Sequence, residues 1–399
     1  MGTIRFMTQS NPPTWNWQSR HWGKFPHDLA ALMPALAAAR RAQGEAMGLA
    51  KALGLEQAHH AHALIWASES IATAAIEGEN LRLEDVRSSI AKRLGLPGGK
   101  TTRARATEGL LDLMQDATAS WQVPLTAKRL LAWHTALFPG GFFSIHSVLG
   151  GMFRGHAEPM QIVSGPINKR VVHFEAPPSR RVPREVERFI KWFNGPSLSM
   201  DALLRAGIAH LWFESIHPFE DGNGRIGRAI TDLALAQELQ LDSRLVSLST
   251  ELAAEREAYY TELHAASRAD ADYTRWLSWF CQRVEAACKR SSTLMLTALD
   301  KAHYWARHAG AGFDHNQRKV INRLLDAGPR GFEGDLTTAK YVGLTGVSRA
   351  TAFRDLAALV EAGALATVGI GKATRYFIDM PGWEPKPAMR PKTTPSSPR

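Results

Sequence analysis

The chain has 399 residues, of which 45% are hydrophobic and 22% are charged, so it is long enough for two or three folded domains. No apolar run reaches the 18 residues that a membrane helix needs, and the amino-terminal residues lack the apolar stretch of a signal peptide. These features argue against a membrane protein. The two cysteines, Cys281 and Cys288, are expected to be buried thiols of a cytoplasmic protein.

Helical periodicity dominates the first 121 residues. A Trp- and Pro-rich segment, residues 1–27, precedes four predicted helices. Gly44 is expected to interrupt the first of them, and Gly78 is expected to end the second. The predicted ranges are 28–58, 60–77, 81–95 and 102–121. We assign residues 1–58 to an amino-terminal helical region.

The middle of the chain predicts one β-hairpin followed by more helices. Short β-type runs occur at 160–163 and 170–174, with Gly165, Pro166 and Asn168 between them. Helical periodicity returns afterwards and is interrupted by a polar, Gly-rich loop at 217–224. The predicted helical ranges are 183–194, 201–216 and 250–308.

The last quarter of the chain is predicted to form a separate, basic unit over residues 314–379. Its elements are helices at 316–326, 337–343 and 348–362, then two strands within 364–378; a disordered tail, 381–399, follows. From Lys301 onward there are 15 Lys and Arg against 8 Asp and Glu. This charge favours a nucleic-acid partner, and the alternative is a solvated basic face with a basic tail.

The segment His217–Arg228 concentrates several groups that suit chemistry on a nucleotide. Gly222 and Gly224 allow backbone N–H groups to converge at a helix start, which is an anion-binding arrangement. The remaining groups are a general base near neutral pH, a hard oxygen ligand for Mg²⁺, and two guanidinium groups on one helix face. They are His217, Asp221, Arg225 and Arg228. Together they favour phosphoryl-type transfer from a nucleotide–Mg²⁺ complex.

This segment resembles the Fic family signature, H-x-F-x-[D/E]-G-N-G-R-x-x-R, at every fixed position. The resemblance implies that His217 deprotonates a hydroxyl of the target protein and that Asp221 holds Mg²⁺ on the phosphates. It implies that the α-phosphate is bound by the Asn223 side chain and the backbone of Gly222–Gly224, and the β- and γ-phosphates by Arg225 and Arg228. Phe219 is expected to anchor the loop in the core.

Other parts of the chain are similar to further Fic elements. The hairpin 160–174 resembles the flap that clamps a target peptide by strand addition, and Gly151–Arg154 resembles the lead-in to that flap. Tyr259 and Tyr260 lie in a segment similar to helices behind the nucleotide site, so either is a candidate for contact with the adenine, although core packing is favoured for each of them alone. The Trp-rich amino terminus resembles a helical domain of some bacterial members.

Residues Thr73–Gly78 resemble the family's inhibitory motif, [S/T]-x-x-x-E-[G/N]. The resemblance implies that Glu77 pairs with Arg228 and so displaces the γ-phosphate. The alternative is an exposed glutamate at a helix end.

The 314–379 unit resembles a winged helix-turn-helix domain. Ser348 is expected to cap a recognition helix over residues 349–361, and a wing is expected to follow. A protein-binding winged helix is the alternative to DNA binding. The predicted DNA-contacting residues are Arg349, Thr351, Arg354, Lys372 and Arg375.

The predicted fold is mainly α: a Fic-type core with a β-hairpin flap, an amino-terminal helical domain and a carboxy-terminal winged helix. The domain ranges are 1–58, 59–308 including the inhibitory helix 60–78, 314–379, and the tail 381–399. The resemblance implies transfer of AMP from ATP, with Mg²⁺, to a Ser, Thr or Tyr hydroxyl of a target protein, with the chain itself as one candidate. Removal of AMP and nucleotide sensing by a DNA-binding regulator are the alternatives, and the oligomeric state, a homodimer included, stays open.

Overall fold

The computed structural model describes residues 14–101, 104–139, 150–164, 169, 171–241, 244–328 and 335–383. The side chains of Leu55, Glu56, Ser164 and Lys372 are outside this description. So are the hairpin turn that contains Gly165, Pro166 and Asn168, and residues 384–399 of the predicted tail.

The described chain is mostly helical, with two small antiparallel hairpins, which confirms the predicted fold class. It divides into two compact units, Met1–Ser292 and Thr293–Arg399. The domain ranges proposed from the sequence stay predictions.

The first unit contains ten complete helices and one hairpin among the described residues. The helices are α1 (Leu29–Ala52), α2 (Leu55–Ile76), α3 (Leu83–Arg93), α4 (Arg105–Ala119), α5 (Ala127–Leu137), α6 (Val182–Phe193), α7 (Ala202–Ile216), α8 (Asn223–Leu239), α9 (Leu248–Ala254) and α10 (Arg256–Ala266). Strands β1 (Gln161–Ser164) and β2 (Val171–Glu175) pair antiparallel, with Ile162 opposite Phe174 and a register irregularity after Ile162. Helix α11 (Tyr273–Arg307) extends past the boundary between the units.

Helices α7 and α8 form the centre of the first unit. Every residue of α7 from Leu203 to Ile216 is buried, so this helix is surrounded by other elements. Trp212 on α7 packs against Trp22 and Phe25 of the amino-terminal segment. Asn16 in the same segment donates from Nδ2 to Ser215 Oγ (2.8 Å). The Trp-rich segment thus packs directly on the helix that leads into the candidate site.

Two helical expectations differ from the structure. Helix α1 continues through Gly44 and ends at Ala52, because a single glycine costs only about 1 kcal/mol in a helix and α1 is held by buried side chains such as Leu36 and Ala39. The sequence pattern does not predict helix α5, although Thr126 caps it by accepting from Arg129 N. Cys281 and Cys288 are buried on α11, as expected, and burial raises the pKa of each thiol to about 12.

The second unit contains α12 (His315–Ala327), α13 (Thr338–Thr345), α14 (Arg349–Glu361) and the strands β3 (Leu365–Val368) and β4 (Arg375–Ile378). The strands pair antiparallel, and Leu336 forms an additional bridge to Tyr376. Val320, Tyr341, Leu356 and Trp383 belong to one shared core. Trp383 lies within the predicted tail, yet it is buried and donates from Nε1 to Asp300 Oδ2 (3.1 Å).

Candidate active site

The site is built on the sharp turn between α7 and α8. His217 ends α7 in the left-handed conformation (φ 49°, ψ 59°), and Gly222 starts α8 in the same region (φ 80°). Asn223 holds the intervening loop closed, because its Oδ1 accepts from Phe219 N (2.9 Å) and its Nδ2 donates to Phe219 O (2.8 Å). Both polar atoms of this side chain are therefore used within the protein. The side chain therefore supports the loop, and the contact of Asn223 with the α-phosphate stays a prediction.

Helix α5 contacts the loop between α7 and α8 through His134. The imidazole of His134 stacks on Phe219 at 4.1 Å between ring centroids, and Phe219 is fully buried, as expected for a core anchor. His134 Nδ1 accepts from Gly151 N (2.9 Å), so Nε2 carries the proton and donates to Asp221 O (3.3 Å). Burial lowers the pKa of His134 to about 4, and the ring is neutral at pH 7.

Arg154 connects this loop to the base of the hairpin. Its guanidinium donates to His217 O (2.7 Å), to Ile216 O (3.3 Å) and to Ser179 Oγ (3.1 Å). Its backbone N–H donates to Pro218 O (2.9 Å). The segment that resembles the flap lead-in is therefore bonded directly to the turn that carries His217.

His217 has the geometry of a neutral base. Its Nδ1 lies 3.4 Å from Glu214 O, and because a carbonyl can only accept, the proton is placed on Nδ1 and the lone pair on Nε2. Burial and, next in size, the positive charge of Arg154 together lower the pKa of His217 to about 4. The imidazole is thus uncharged and able to accept a proton at neutral pH.

The two signature arginines are each paired with a glutamate of the same turn. Arg228 donates from Nη2 to Glu77 Oε1 (2.7 Å), and Arg225 donates from Nη1 to Glu79 Oε1 (2.7 Å). Glu77 Oε1 also occupies the space where a Cβ on Gly224 would stand. We call Glu77, Gly78 and Glu79 the EGE turn. Its carboxylates lie at the helix start where the sequence predicts phosphates.

The EGE turn closes the carboxyl end of α2. Gly78 is left-handed (φ 81°), and Glu79 N donates back to Ala74 O (2.9 Å), which reverses the chain. Thr73, one helical turn before Glu77, accepts from Arg228 Nε at its hydroxyl (2.6 Å) and from Nη2 at its carbonyl (3.1 Å). Arg228 is consequently held by both Thr73 and Glu77 of the motif that the sequence indicates.

Helix α2 is itself fixed to the start of α9. Glu69 is buried, and its Oε2 accepts from Ser249 N (2.9 Å) and from Ser247 Oγ (2.9 Å). A carboxylate at a helix start accepts hydrogen bonds from the free N–H groups and interacts favourably with the helix dipole. This contact sets the position of α2 along its axis and hence that of the EGE turn.

Asp221 presents its carboxylate at the open side of the loop. The side chain is 49% exposed; Oδ1 accepts from Gly222 N (2.6 Å) and lies 3.6 Å from Arg225 Nη2. No group of three or more His, Cys, Asp or Glu with metal-binding geometry occurs in the described part of the chain. A single exposed carboxylate still suits Mg²⁺ that arrives with nucleotide phosphates, because such ions keep several ligands from phosphate and water.

The two tyrosines of α10 have different surroundings. Tyr259 is buried, and its hydroxyl lies 2.9 Å from His210 Nε2, which fits the alternative of core packing. Tyr260 is half-buried, and its hydroxyl donates to Ile76 O (3.4 Å) beside the EGE turn. Of the two, Tyr260 is the one at the edge of the site.

Three further residues complete the site without belonging to any motif singled out in the sequence: Glu214, His134 and Glu79. Glu214 lies under α8, where its Oε1 would contact a Cβ on Gly227, and burial raises the pKa of its carboxyl to about 8. Glu79 follows the inhibitory pattern by one position. The local signal for each is weak, since a lone acid or histidine in a helix is usually structural.

In the second unit, the predicted recognition helix is α14. Ser348 caps it by accepting from Thr351 N (3.1 Å), as expected. Arg349 and Arg354 are exposed, whereas Thr351 and Arg375 are half-buried, and Arg375 donates to Thr374 O (3.1 Å). The structure therefore presents two of the five predicted residues openly to solvent, and the side chain of Lys372 lies outside its description.

No helix in the described ranges has both the length and the apolar character needed to cross a membrane.

Three parts of the chain match known family models. Residues 124–235, which contain the α7–α8 turn, match the Fic/DOC family. Residues 15–96, which contain the EGE turn, match a domain of unknown function, DUF4172. Residues 333–379 match the C-terminal domain of the transcriptional regulator DIP2311-like family. The chain thus contains a Fic domain, as the signature indicates.

Known relatives and structures agree with this assignment. The chain is 27% identical over 232 residues to protein adenylyltransferase fic-1 of Caenorhabditis elegans, which covers 57% of this chain and 41% of the relative. It is 27% identical over 167 residues to protein adenylyltransferase Fic of Drosophila ananassae, covering 41% of this chain and 30% of the relative. The chain therefore spans less than half the length of these curated relatives.

Two crystal structures have a similar fold. A Fic family protein from Desulfovibrio desulfuricans aligns over 89% of this chain and 97% of its own, with a TM-score of 0.53 and 22% identity. A Fic domain-containing signaling protein from Bacteroides thetaiotaomicron aligns over 65% of this chain and 97% of its own, with a TM-score of 0.50 and 16% identity.

Proposed function

We propose that this protein transfers AMP from ATP to a hydroxyl group of a protein and that Glu77 inhibits the transfer. The observation that carries the proposal is the neutral His217 beside a helix start whose two arginines are held by carboxylates. The relatives from Caenorhabditis and Drosophila are named protein adenylyltransferases, which supports this chemistry over other phosphoryl transfers.

In the proposed reaction, the target hydroxyl oxygen bonds to the α-phosphorus and the bond between that phosphorus and the α–β bridging oxygen breaks. His217 Nε2 accepts the hydroxyl proton, and pyrophosphate leaves. Arg225 and Arg228 would bind its two phosphates through bidentate contacts, and the N–H groups around Gly222–Gly224 would bind the α-phosphate. Mg²⁺, held by Asp221 and the phosphates, would neutralise charge on the leaving group.

The carboxylate of Glu77 is paired with Arg228, which this reaction requires as a phosphate-binding group. A charge-assisted hydrogen bond of this kind contributes about 1.5–3 kcal/mol, equivalent to roughly 10- to 150-fold in the occupancy of the competing state. The negative charge of the Glu77 carboxylate also repels the phosphates. Wild-type protein is thus expected to transfer little AMP.

The test compares incorporation of AMP from labelled ATP by wild type, Glu77→Gly and Glu77→Gly/His217→Ala, with self-modification as the first readout. We expect labelling of Glu77→Gly alone. Equal labelling of wild type and Glu77→Gly would refute inhibition by Glu77. Labelling of the double variant would refute the role of His217, and release of AMP from a pre-labelled protein by wild type would assign the reverse reaction.

We infer a second function, binding of duplex DNA, for the second unit. The supporting observation is the order of three helices and a strand pair, with exposed Arg349 and Arg354 on the capped helix α14. The match to a transcriptional regulator's C-terminal domain supports the same function. Phe353 is 63% exposed on the same helix, where it could contact a thymine methyl group.

A further inference from the structure

We propose that Arg154 is a positioning residue for the proposed transfer: it fixes the backbone turn that carries His217 and places a buried positive charge beside that turn. This inference rests on the proposed function. The geometric basis is that Arg154 is only 3% exposed and that its guanidinium donates hydrogen bonds to the carbonyls of Ile216 and His217 at the end of α7.

The first part of the role concerns the backbone. The left-handed conformation at His217 costs about 1–2 kcal/mol for a residue with a side chain, so it requires support from its surroundings. Carbonyls at the end of a helix lack intrahelical partners, and a cation is favoured there by the helix dipole. Arg154 supplies both partner and charge, while its contact with Ser179 Oγ links the turn to the hairpin base.

The second part concerns the charge of the imidazole. Arg154 makes no salt bridge with a carboxylate in the described ranges, and the carboxylate whose charge acts on it is that of Glu220 in the loop after His217. Burial lowers the pKa of Arg154 only to about 10, and it remains a cation at pH 7. The other charged groups that act on His217 are Glu77 from the end of α2 and Asp221 from the loop, and both favour the imidazolium. Arg154 opposes them.

Two substitutions separate these roles in the Glu77→Gly background. Arg154→Met removes both the charge and the hydrogen bonds, whereas Arg154→Lys retains the charge and loses the forked contacts. Arg180→Met, at an exposed position of the same hairpin base, is the matched control. The measurements are the pKa of His217 by NMR, assigned from the signal that disappears in His217→Gln, and kcat and KM for ATP against pH.

We expect the pKa of His217, which burial keeps low in the Glu77→Gly background, to rise in Arg154→Met and to stay low in Arg154→Lys. We expect kcat to fall about 100-fold in both variants, with a smaller change in KM, because the base is misplaced while the phosphate groups are retained. An unchanged pKa in Arg154→Met, or a kcat equal to that of the control, overturns the proposal. The NMR titration does not depend on transfer, so it also decides the matter if no AMP is incorporated.

A separate observation, the ion pair between Glu79 and Arg225, supports a second proposal. We infer that the EGE turn blocks both phosphate-binding arginines, with Glu77 on Arg228 and Glu79 on Arg225. The left-handed Gly78 between the two glutamates reverses the chain. Glu77 and Glu79, two positions apart in sequence, therefore reach the guanidinium groups of two arginines that lie three positions apart on α8. The Arg225 side chain is only 5% exposed, and its Nε has no hydrogen-bond partner among the described residues. This N–H group can therefore donate to a further anionic ligand.

This proposal also rests on the proposed function. It predicts that Glu77→Gly frees Arg228 but leaves Arg225 paired with Glu79. Because Glu79 is 43% exposed, solvent weakens its pairing, and its removal is expected to change affinity by about 2- to 5-fold. The test measures Kd for MgATP and MgADP, and AMP incorporation, for Glu77→Gly, Glu79→Gln and the double variant. Glu84→Gln, an exposed acid on α3, is the control.

We expect the double variant to bind both nucleotides about 2- to 5-fold more tightly than Glu77→Gly and to label faster. Equal affinities, or the same gain in Glu84→Gln, would overturn the role of Glu79. An active Glu77→Gly variant that gains nothing from Glu79→Gln overturns this proposal and leaves the proposed function intact. Tighter binding without any AMP transfer would instead contradict the proposed function alone.

Discussion

His217 combines a strained backbone with a neutral side chain, and both properties depend on neighbours that are distant in sequence. In the Glu77→Gly background, His217→Ala is expected to reduce AMP transfer by about 10²–10⁴-fold, because the target hydroxyl loses its base. Binding of MgATP should survive, since the arginines and the loop N–H groups are retained. Transfer rates and nucleotide affinity measured on the same preparations check this, and an active alanine variant would contradict it.

Glu214 provides a stability test at the residue scale. Its pKa is about 8 in the folded protein against an ordinary 4.5, because burial disfavours the carboxylate. Such a group destabilises the fold as pH rises from about 4.5 to 8, since the unfolded chain ionises first. Glu214→Gln should therefore have a higher Tm than wild type at pH 8 and a similar Tm at pH 5. A Tm difference that does not depend on pH would show that Glu214 is ionised in the folded protein.

The signature loop can be predicted from sequence because its groups are consecutive and its glycines carry a local meaning. Arg154 and Glu79 cannot be assigned in the same way, since their importance lies in partners about 60 and 150 residues away. For Asn223 the sequence identifies the residue but not its two hydrogen bonds to the backbone of Phe219. An amide can bond to phosphate or to backbone, and the backbone bonds are seen only in the folded loop.

At the scale of elements, the EGE turn depends on Gly78. A Cβ at this position would meet no neighbouring atom, so Gly78→Ala introduces backbone strain alone, about 1–2 kcal/mol. We expect a Tm lower by a few degrees and AMP transfer about 5-fold or more above wild type, because the turn holds its glutamates less firmly. Thermal denaturation and AMP incorporation measured side by side check both effects.

Gly44→Ala is the matched control for this prediction. Gly44 lies within α1, also with open space at the Cβ position, so the same chemical change should raise the Tm through helix propensity. Opposite shifts of Tm in the two variants are expected. A rise of Tm in Gly78→Ala would contradict the strained turn.

Helix boundaries show where sequence patterns are sufficient and where packing decides. The end of α2 at Gly78 is predictable because a left-handed glycine after a helix is a local signal. The continuation of α1 through Gly44 is not predictable in this way, because the stabilisation from its buried side chains exceeds the helix-propensity cost of the glycine. Helix α5 has no strong sequence pattern although it carries His134, which shows that a short helix can be important through a single stacking contact.

At the scale of the whole molecule, the two compact units have different charge and different chemistry. The first contains the Fic domain with its paired arginines, and the second contains helix α14 with its two exposed arginines, Arg349 and Arg354. The 399-residue chain is expected to bind duplex DNA with a Kd that rises with salt, because neutralising each phosphate releases counterions. The salt slope, d log K/d log[salt], should become shallower by roughly 0.9 for each phosphate that a variant no longer neutralises.

The test uses the 399-residue chain with the double substitution Arg349→Ala/Arg354→Ala, and Arg323→Ala, a substitution on α12, is the control. We expect the double variant to bind a random duplex pool more weakly and with a salt slope shallower by about 1–2, and the control to retain most of the affinity. Phosphate contacts strengthen binding to all sequences equally, whereas Phe353→Ala should reduce binding only to selected sites rich in thymine. Absence of binding at low salt, or an equal decrease in the control, would indicate a protein partner for α14 instead. A helix with two exposed arginines and an exposed phenylalanine suits either partner, and the salt slope separates them because only DNA releases a dense counterion atmosphere.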